Sequence, residues 1–376
     1  MPATAPIDLS TNQTHANVRV RLAKDADLPA WQRFVDRTPQ AGCMHHAGWY
    51  KVLRDSCWVK PYFLIAKDAR SGELAGVLPL YHSRSPLTGS HLSSLGDGVL
   101  AEEQSTVAAL LEFARSLRDS IGAKFLQLRG GPLDHPGDEA FMTIRTLINT
   151  SQPPEVLWAA IQRKTRWAIR QAEKTAIRIE DDAALAGLDD FYWTYAEHVR
   201  KFGTPVMGIG FFHAIRTHLG PHRLRLYSVK EGQRLIGGML CILNRGRWTA
   251  CYGAVRPSQE TDFANYLLYW HMIRDASTCG ASTLDLGRSA PESNVRLFKR
   301  KWRGKEIEVA YHRYFPCSRS PSNRSRSHND RSRSHNDPAR DSLKRHKGRL
   351  YRLWSRLPLP LCNSLGPLIR KQLPFM

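Results

Sequence analysis

The sequence predicts a fold of two tandem α/β (α+β) units, each a mixed sheet flanked by helices, with a basic tail behind them. An internal repeat, a core-forming composition and an abrupt compositional change near residue 316 predict it. Hydrophobic residues are 42% and charged residues 24% of the 376, which supplies a packed core and room for two domains. The repeat sets the fold class. Tyr62-Phe-Leu-Ile-Ala-Lys-Asp, a glycine turn and Glu73-Leu-Ala-Gly-Val-Leu-Pro-Leu return as Leu224-Arg-Leu-Tyr-Ser-Val-Lys, a glycine turn and Arg234-Leu-Ile-Gly-Gly-Met-Leu-Cys. Each hairpin leads into an amphipathic helix (103–120 and 262–278) and a short strand, Phe125-Leu-Gln-Leu-Arg-Gly or Thr283-Leu-Asp-Leu-Gly-Arg. From Leu74 to Gln127 is 53 residues and from Leu235 to Asp285 is 50, so hairpin, helix and strand recur in one order at one spacing, as a duplicated unit does.

Residues 1–17 are polar and read as disordered. The first unit spans 18–150: Val18-Arg-Val-Arg-Leu alternates in the strand period, and Leu28 to Val35 is patterned as a helix. The second unit spans 151–315. Pro153-Pro-Glu opens a helix there, with Leu157, Ile161, Ala168 and Ala172 on an apolar side and Arg163, Lys164, Arg166, Arg170 and Lys174 on a basic one. Residues 316–340 form an Arg/Ser-rich linker in which Arg324-Ser-Arg-Ser-His-Asn-Asp is repeated at Arg331. Residues 341–376 are a basic amphipathic tail. Within it, Leu343, Leu350, Leu353, Trp354 and Leu357 share one helical face at 341–357 while six Lys/Arg cover the rest, a pattern suited to an anionic membrane surface.

Charge is excessive and uneven. Lys plus Arg number 55 against 34 Asp plus Glu, which favours polyanionic partners such as nucleic acid, phospholipid or a phosphorylated substrate. Seven cysteines without a C-x-x-C pair read as reduced thiols, and His45-His46 lacks the second ligand pair a metal site needs. The chain shows neither a basic region followed by an apolar run at its start nor about 18 consecutive apolar residues, so the expectation is a cytoplasmic protein, peripheral on the inner membrane face. Motifs for P-loop phosphoryl transfer, dinucleotide binding, zinc proteolysis and hydrolase elbows are missing.

What remains is a cluster at 248–302: Cys251-Tyr-Gly, Asn265-Tyr-Leu-Leu-Tyr-Trp, Asp285-Leu-Gly-Arg-Ser and Phe298-Lys-Arg-Lys-Trp. It resembles the FemAB-like acyltransferases built from tandem GNAT-type units, in particular the branch associated with exosortase (PEP-CTERM) and exopolysaccharide systems. Phe202-Gly-Thr-Pro-Val, His46-Ala-Gly-Trp, and Trp354 with Leu357-Pro-Leu-Pro and Leu365-Gly-Pro extend the likeness. One departure is Glu292-Ser293-Asn294, where the family carries Gly-x-Gly.

The resemblance implies an acyl- or aminoacyltransferase acting on an amino group of a cell-envelope or exopolysaccharide precursor, as in peptidoglycan bridge formation. The donor is acyl-CoA or aminoacyl-tRNA, the acceptor an amine that is lipid-linked in some versions, and no metal is expected. Acyl transfer needs a proton acceptor, a stabilised oxyanion and a protonated leaving group. Asp285 is the expected proton acceptor, because its counterpart Gln127 cannot serve, and Tyr252 the expected acid. Arg288, Ser289, Lys299 and Asn265 are expected at the substrate, with Arg288 and Lys299 as anion clamps. Arg166 and Arg170 are assigned to tRNA or to a diphosphate. The other reading is a non-catalytic, degenerate fold that binds nucleic acid or anionic lipid through its basic surface.

Overall fold

The computed structural model describes residues 13–316, apart from 16, 58, 86–88, 131–136, 202, 204 and 259–261, together with residues 354–370. The first half runs β1 (Gln13–His15), β2 (Val18–Leu22), α1 (Leu28–Arg37), α2 (Trp49–Ser56), β3 (Lys60–Asp68), β4 (Leu74–Ser85), β5 (Gly89–Ser94), β6 (Leu100–Ala101), α3 (Gln104–Ser120), β7 (Leu126–Arg129) and β8 (Glu139–Asn149). The second runs α4 (Pro154–Ala160), α5 (Arg163–Glu173), β9 (Ile177–Asp182), α6 (Leu188–Lys201), α7 (Ile209–Leu219), β10 (Leu224–Glu231), β11 (Arg234–Asn244), β12 (Arg247–Val255), α8 (Ala264–Thr278), β13 (Thr283–Ser289), α9 (Asn294–Arg300) and β14 (Lys305–Tyr314). A tail helix, α10, covers Leu359–Arg370.

The duplication predicted from sequence is present strand by strand. β3 and β4 pair antiparallel, β4 and β5 antiparallel, β5 and β7 parallel. In the second half β10 and β11, β11 and β12, then β12 and β13 repeat those senses. Ser93 faces Gln127 across the first parallel pair and Thr249 faces Asp285 across the second, so Gln127 and Asp285 occupy matching positions. Gly76 and Gly237 sit at matching bulges, where a side chain would collide with Thr106 of α3 at the first and with the β12 backbone at the second.

The last strand of each unit is exchanged. β8 leaves the first half and pairs with β13, while β14 returns from the second half to pair with β7. β8 and β14 also pair with each other, antiparallel, from Lys305–Leu147 to Arg313–Glu139. One continuous sheet results, in the order β1-β2-β3-β4-β5-β7-β14-β8-β13-β12-β11-β10-β9. Residue 150 therefore marks the repeat in sequence without separating two sheets.

Three cores cover the two faces. α3 buries Leu110, Phe113, Ala114 and Leu117 against Leu64, Leu80 and Leu126. α8 is buried almost all round, through Leu267, Leu268, Trp270, Met272 and Ile273, because α4 and α5 pack on its outer side. On the opposite face α1 and α2 meet α6 and α7 in a core shared by both halves, with Trp31, Trp49, Phe63, Phe191 and Phe212 buried together. Burying one such side chain contributes about 1.5–3 kcal/mol, and here it ties the halves.

Three expectations are corrected. Within the stretch 1–17 read as disordered, Gln13–His15 form β1, because they pair antiparallel with Val18–Val20 of β2. The single helix expected after Pro153 is two, because Ile161 is extended (φ −66°, ψ 142°) and buried, and Arg166 donates to the last carbonyls of α4, those of Trp158 and Ala159. Of the amphipathic stretch 341–357, residues 341–353 lie outside the described residues. Trp354 is buried, so it is not free for a membrane face, and α10 packs on α6 with Gly366 against Val206 and the Leu357 carbonyl accepting from Arg200.

A Cβ at Gly237 would lie 2.2 Å from the Ala254 carbonyl oxygen. Gly237→Ala is expected to lower stability by roughly 1–3 kcal/mol through overpacking. Gly210→Ala, at an exposed position of α7 with open space at its Cβ, should raise it by about 0.4–1 kcal/mol; urea unfolding of both variants checks the pair.

Candidate active site

The candidate site lies where the two central strands of the second unit part. β12 and β13 pair only from Arg247–Thr283 to Thr249–Asp285. Immediately beyond, β12 carries a bulge: Cys241 faces Ala250 and Leu240 faces Tyr252, leaving Cys251 as the extra residue. A bulge re-aims side chains, and here both Cys251 and Tyr252 turn toward the core shared by the halves. They are half-buried and Gly253 is exposed. Among the described residues, the β13-side backbone of Cys251–Val255 has no strand partner, so an open edge borders the notch.

The first unit closes its own notch. Between Ser94–Leu80 and Leu100–Val77 the chain makes a longer excursion through Leu95-Gly-Asp-Gly-Val, and Arg129 N–H donates to Ser94 Oγ (2.9 Å) across the gap. The excursion reaches the second unit. Asp97 accepts from Met44 N–H (2.8 Å) and from Arg145 Nη2 (2.6 Å), and the Gly96 carbonyl accepts from Arg288.

Arg145, on the exchanged strand β8, is the centre of this network. Its Nε lies 2.7 Å from Asp285 Oδ2 without a well-aligned N–H bond, while its Nη2 holds Asp97. Asp285 is fully buried and its Oδ1 accepts from Gly287 N–H (2.9 Å). Burial pushes the Asp285 carboxyl up, opposed by Arg145. Burial also opposes the charge of Asp97, yet Arg145, His45 and Arg288 hold that carboxyl well below its usual range. Arg247 lies 4.0 Å from Asp285. Three guanidinium groups thus surround two carboxylates, leaving a net positive charge.

Asp285, the expected proton acceptor, is thus buried against Arg145, from the other half of the sequence, instead of facing an open cleft. The two expected anion clamps also turn inward. Arg288 donates to the Tyr311 hydroxyl (3.1 Å) with its guanidinium over that ring, and Lys299 donates to the Arg288 carbonyl (3.0 Å). Burial lowers the Lys299 amine to about 8. Ser289 is buried with its Oγ unpaired, and Asn265 is exposed on the first turn of α8. Arg166 caps α4, and Arg170 lies over Trp158, away from the notch residues.

Tyr252 stands as expected on β12, edge-on to Tyr195, Phe211 and Phe212. Burial raises its hydroxyl pKa well above normal, so the proton stays on. The altered Glu292-Ser293-Asn294 segment has a local cause: Ser293 Oγ accepts from Arg296 N–H and caps α9. Sequence reading missed Arg145 and Asp97. Asp97 carries one sequence signal, a carboxylate between two glycines after a strand; Arg145 carries none.

Arg145→Met is expected to destabilise the fold by about 3–5 kcal/mol, since it strands two buried carboxylates, and adding Asp285→Asn should recover part of the loss in urea unfolding. Lys299 binds its proton less readily when folded, so between pH 8 and the ordinary 10.5 the unfolded chain holds the extra proton and stability rises with pH. Lys299→Met should flatten that rise in melting temperature.

Residues 159–300 match the acetyltransferase (GNAT) domain family. No curated protein sequence matches the chain. Among solved structures, FemX is similar at 14% identity and a TM-score of 0.58, covering 79% of this chain and 97% of FemX. The C-terminal DUF2156 domain of a putative lysylphosphatidylglycerol synthetase from Agrobacterium fabrum is 12% identical with a TM-score of 0.53, covering 76% and 91%. A tandem GNAT protein from the clavulanic acid biosynthesis pathway is 11% identical with a TM-score of 0.50, covering 80% and 99%. Residues 159–300 thus match the GNAT acetyltransferase domain family, and the chain shares the fold of FemX and of a tandem GNAT protein.

Proposed function

We propose that the protein transfers an acyl or aminoacyl group to an amino group of a cell-envelope or exopolysaccharide precursor, with the reaction in the notch between β12 and β13. The observation that carries this reading is the early parting of those strands at the Cys251 bulge, within the segment that matches the GNAT family. The open edge of β12 suits an extended, amide-bearing donor arm, which adds to a sheet edge by main-chain hydrogen bonds. The net positive charge of Arg145, Arg247 and Arg288 over Asp97 and Asp285 favours a donor or acceptor that carries phosphate. Acyl-CoA and aminoacyl-tRNA both have that chemistry.

Tyr252 is the general acid in this scheme. Its retained proton passes to the departing thiolate or alkoxide as the tetrahedral intermediate collapses, the acceptor amine loses its proton to solvent or to a substrate group, and solvent returns a proton to the Tyr252 phenolate. Arg145 and Asp285 act as positioning residues that hold β13 against β8. The FemX and lysylphosphatidylglycerol synthetase likenesses are compatible with an envelope or lipid-linked acceptor.

Tyr252→Phe keeps the ring contacts and removes the hydroxyl. Turnover with acyl-CoA or aminoacyl-tRNA and amino-sugar acceptors is expected to fall about 10²-fold, with KM and melting temperature unchanged. Equal turnover excludes Tyr252 as the acid. Failure of the folded wild-type protein to consume either donor class favours the non-catalytic binder.

A further inference from the structure

The helix pair α4–α5 has no counterpart before β2 among the described residues of the first half, although every strand from β2 to β8 except the short β6 has one in the second. Its inner side closes the core over α8 through Ile161, Ile169 and Ala172. Its outer side is unusual.

On α5 the buried residues are Thr165, Ala168, Ile169 and Ala172. At about 100° per residue, the opposite direction falls within roughly 40° of Arg163, Trp167, Arg170 and Lys174. All four are exposed, Trp167 at 54% with its ring edge-on to Phe263, 5.3 Å away at the start of α8. On α4 the outer side carries Val156, 50% exposed, with Ala159 and Ala160. The exposed carboxylates of the pair, Glu155 and Glu173, lie to the sides; Glu173 is about 90° round α5 from the cationic stripe. Arg166, which points back to the carbonyls of α4, fixes the two helices together.

We propose that this outer face is a docking surface for an anionic phospholipid bilayer. Tryptophan and short aliphatic side chains enter the headgroup boundary while the flanking cations meet lipid phosphates. Nucleic acid shares the phosphate chemistry but makes no use of the exposed Val156, Ala159 and Ala160 of the adjoining helix α4. The proposal is independent of the transfer reaction: a catalytically inert chain would dock the same way. It is also separate from the tail, since α10 packs on α6.

The test uses the full-length chain, so that the tail contributes equally to every sample. Sedimentation is measured with phosphatidylcholine vesicles with and without phosphatidylglycerol. Arg163→Gln with Lys174→Gln, both exposed and outside the core, should weaken binding to the phosphatidylglycerol vesicles at least tenfold and leave the melting temperature unchanged. Trp167→Phe, which keeps a ring beside Phe263, should remove part of the tryptophan quenching produced by brominated lipid. Vesicle binding equal to wild type in the double variant, or quenching unchanged in Trp167→Phe, overturns the proposal. A double variant that loses single-stranded RNA binding while holding vesicles as tightly as wild type overturns it in favour of nucleic acid.

Discussion

Arg145 holds this molecule together. It stands on a strand that leaves one repeat to complete the sheet of the other, and it takes a carboxylate from each, Asp97 at 2.6 Å and Asp285 at 2.7 Å. A buried ion pair is weak evidence for stability when compared with a hydrophobic replacement, because both charges must be desolvated. What the network supplies is register. With Asp97 fixed from one side and Asp285 from the other, β8 cannot slip against β13 without separating buried charges. The unaligned Arg145–Asp285 contact and the raised Asp285 pKa show that Asp97 has the stronger claim on the guanidinium.

The same constraint separates the fates of the two repeats. In the first, the Gly96–Gly98 excursion is long enough to reach across the seam, and the gap between β5 and β7 is bridged by Ser94 Oγ, which accepts from Arg129 N–H (2.9 Å). In the second, a single extra residue at Cys251 leaves the gap open. Duplication thus produced two notches, one turned into a brace and one left open.

Much of the fold was legible in the sequence because it is written locally: hairpin periodicity, a helix face and a strand at fixed spacing need no knowledge of the partner. The matching of Gln127 with Asp285 could be read in that way, and so could Tyr252 on its strand. Burial of Asp285 could not, since it depends on a residue 140 positions earlier in the chain that nothing in the local pattern of Met142-Thr-Ile-Arg-Thr-Leu marks. Arg288 and Lys299 read as free cations for the same reason; their partners, Tyr311, Gly96 and a backbone carbonyl, are brought by the strand exchange and by local turns. Where the helix after Pro153 breaks was likewise invisible, because Ile161 suits a helix and is pulled into extended geometry by burial.

The exchange of β8 and β14 also governs how the chain is made. β8 ends at Asn149, and the strand that must lie between it and β7 ends at Tyr314, 165 residues later. At about 5–20 residues per second of synthesis, the open flank of β7 and the whole of β8 wait roughly ten to thirty seconds on the ribosome for their partners. During that time Phe141 and Met142, still more than 40% exposed in the finished protein, stand on an unpaired strand, the kind of surface that invites pairing between nascent chains. A fold whose halves look independent in sequence is therefore obliged to mature late, as one body, and its most vulnerable moment comes before the second half exists.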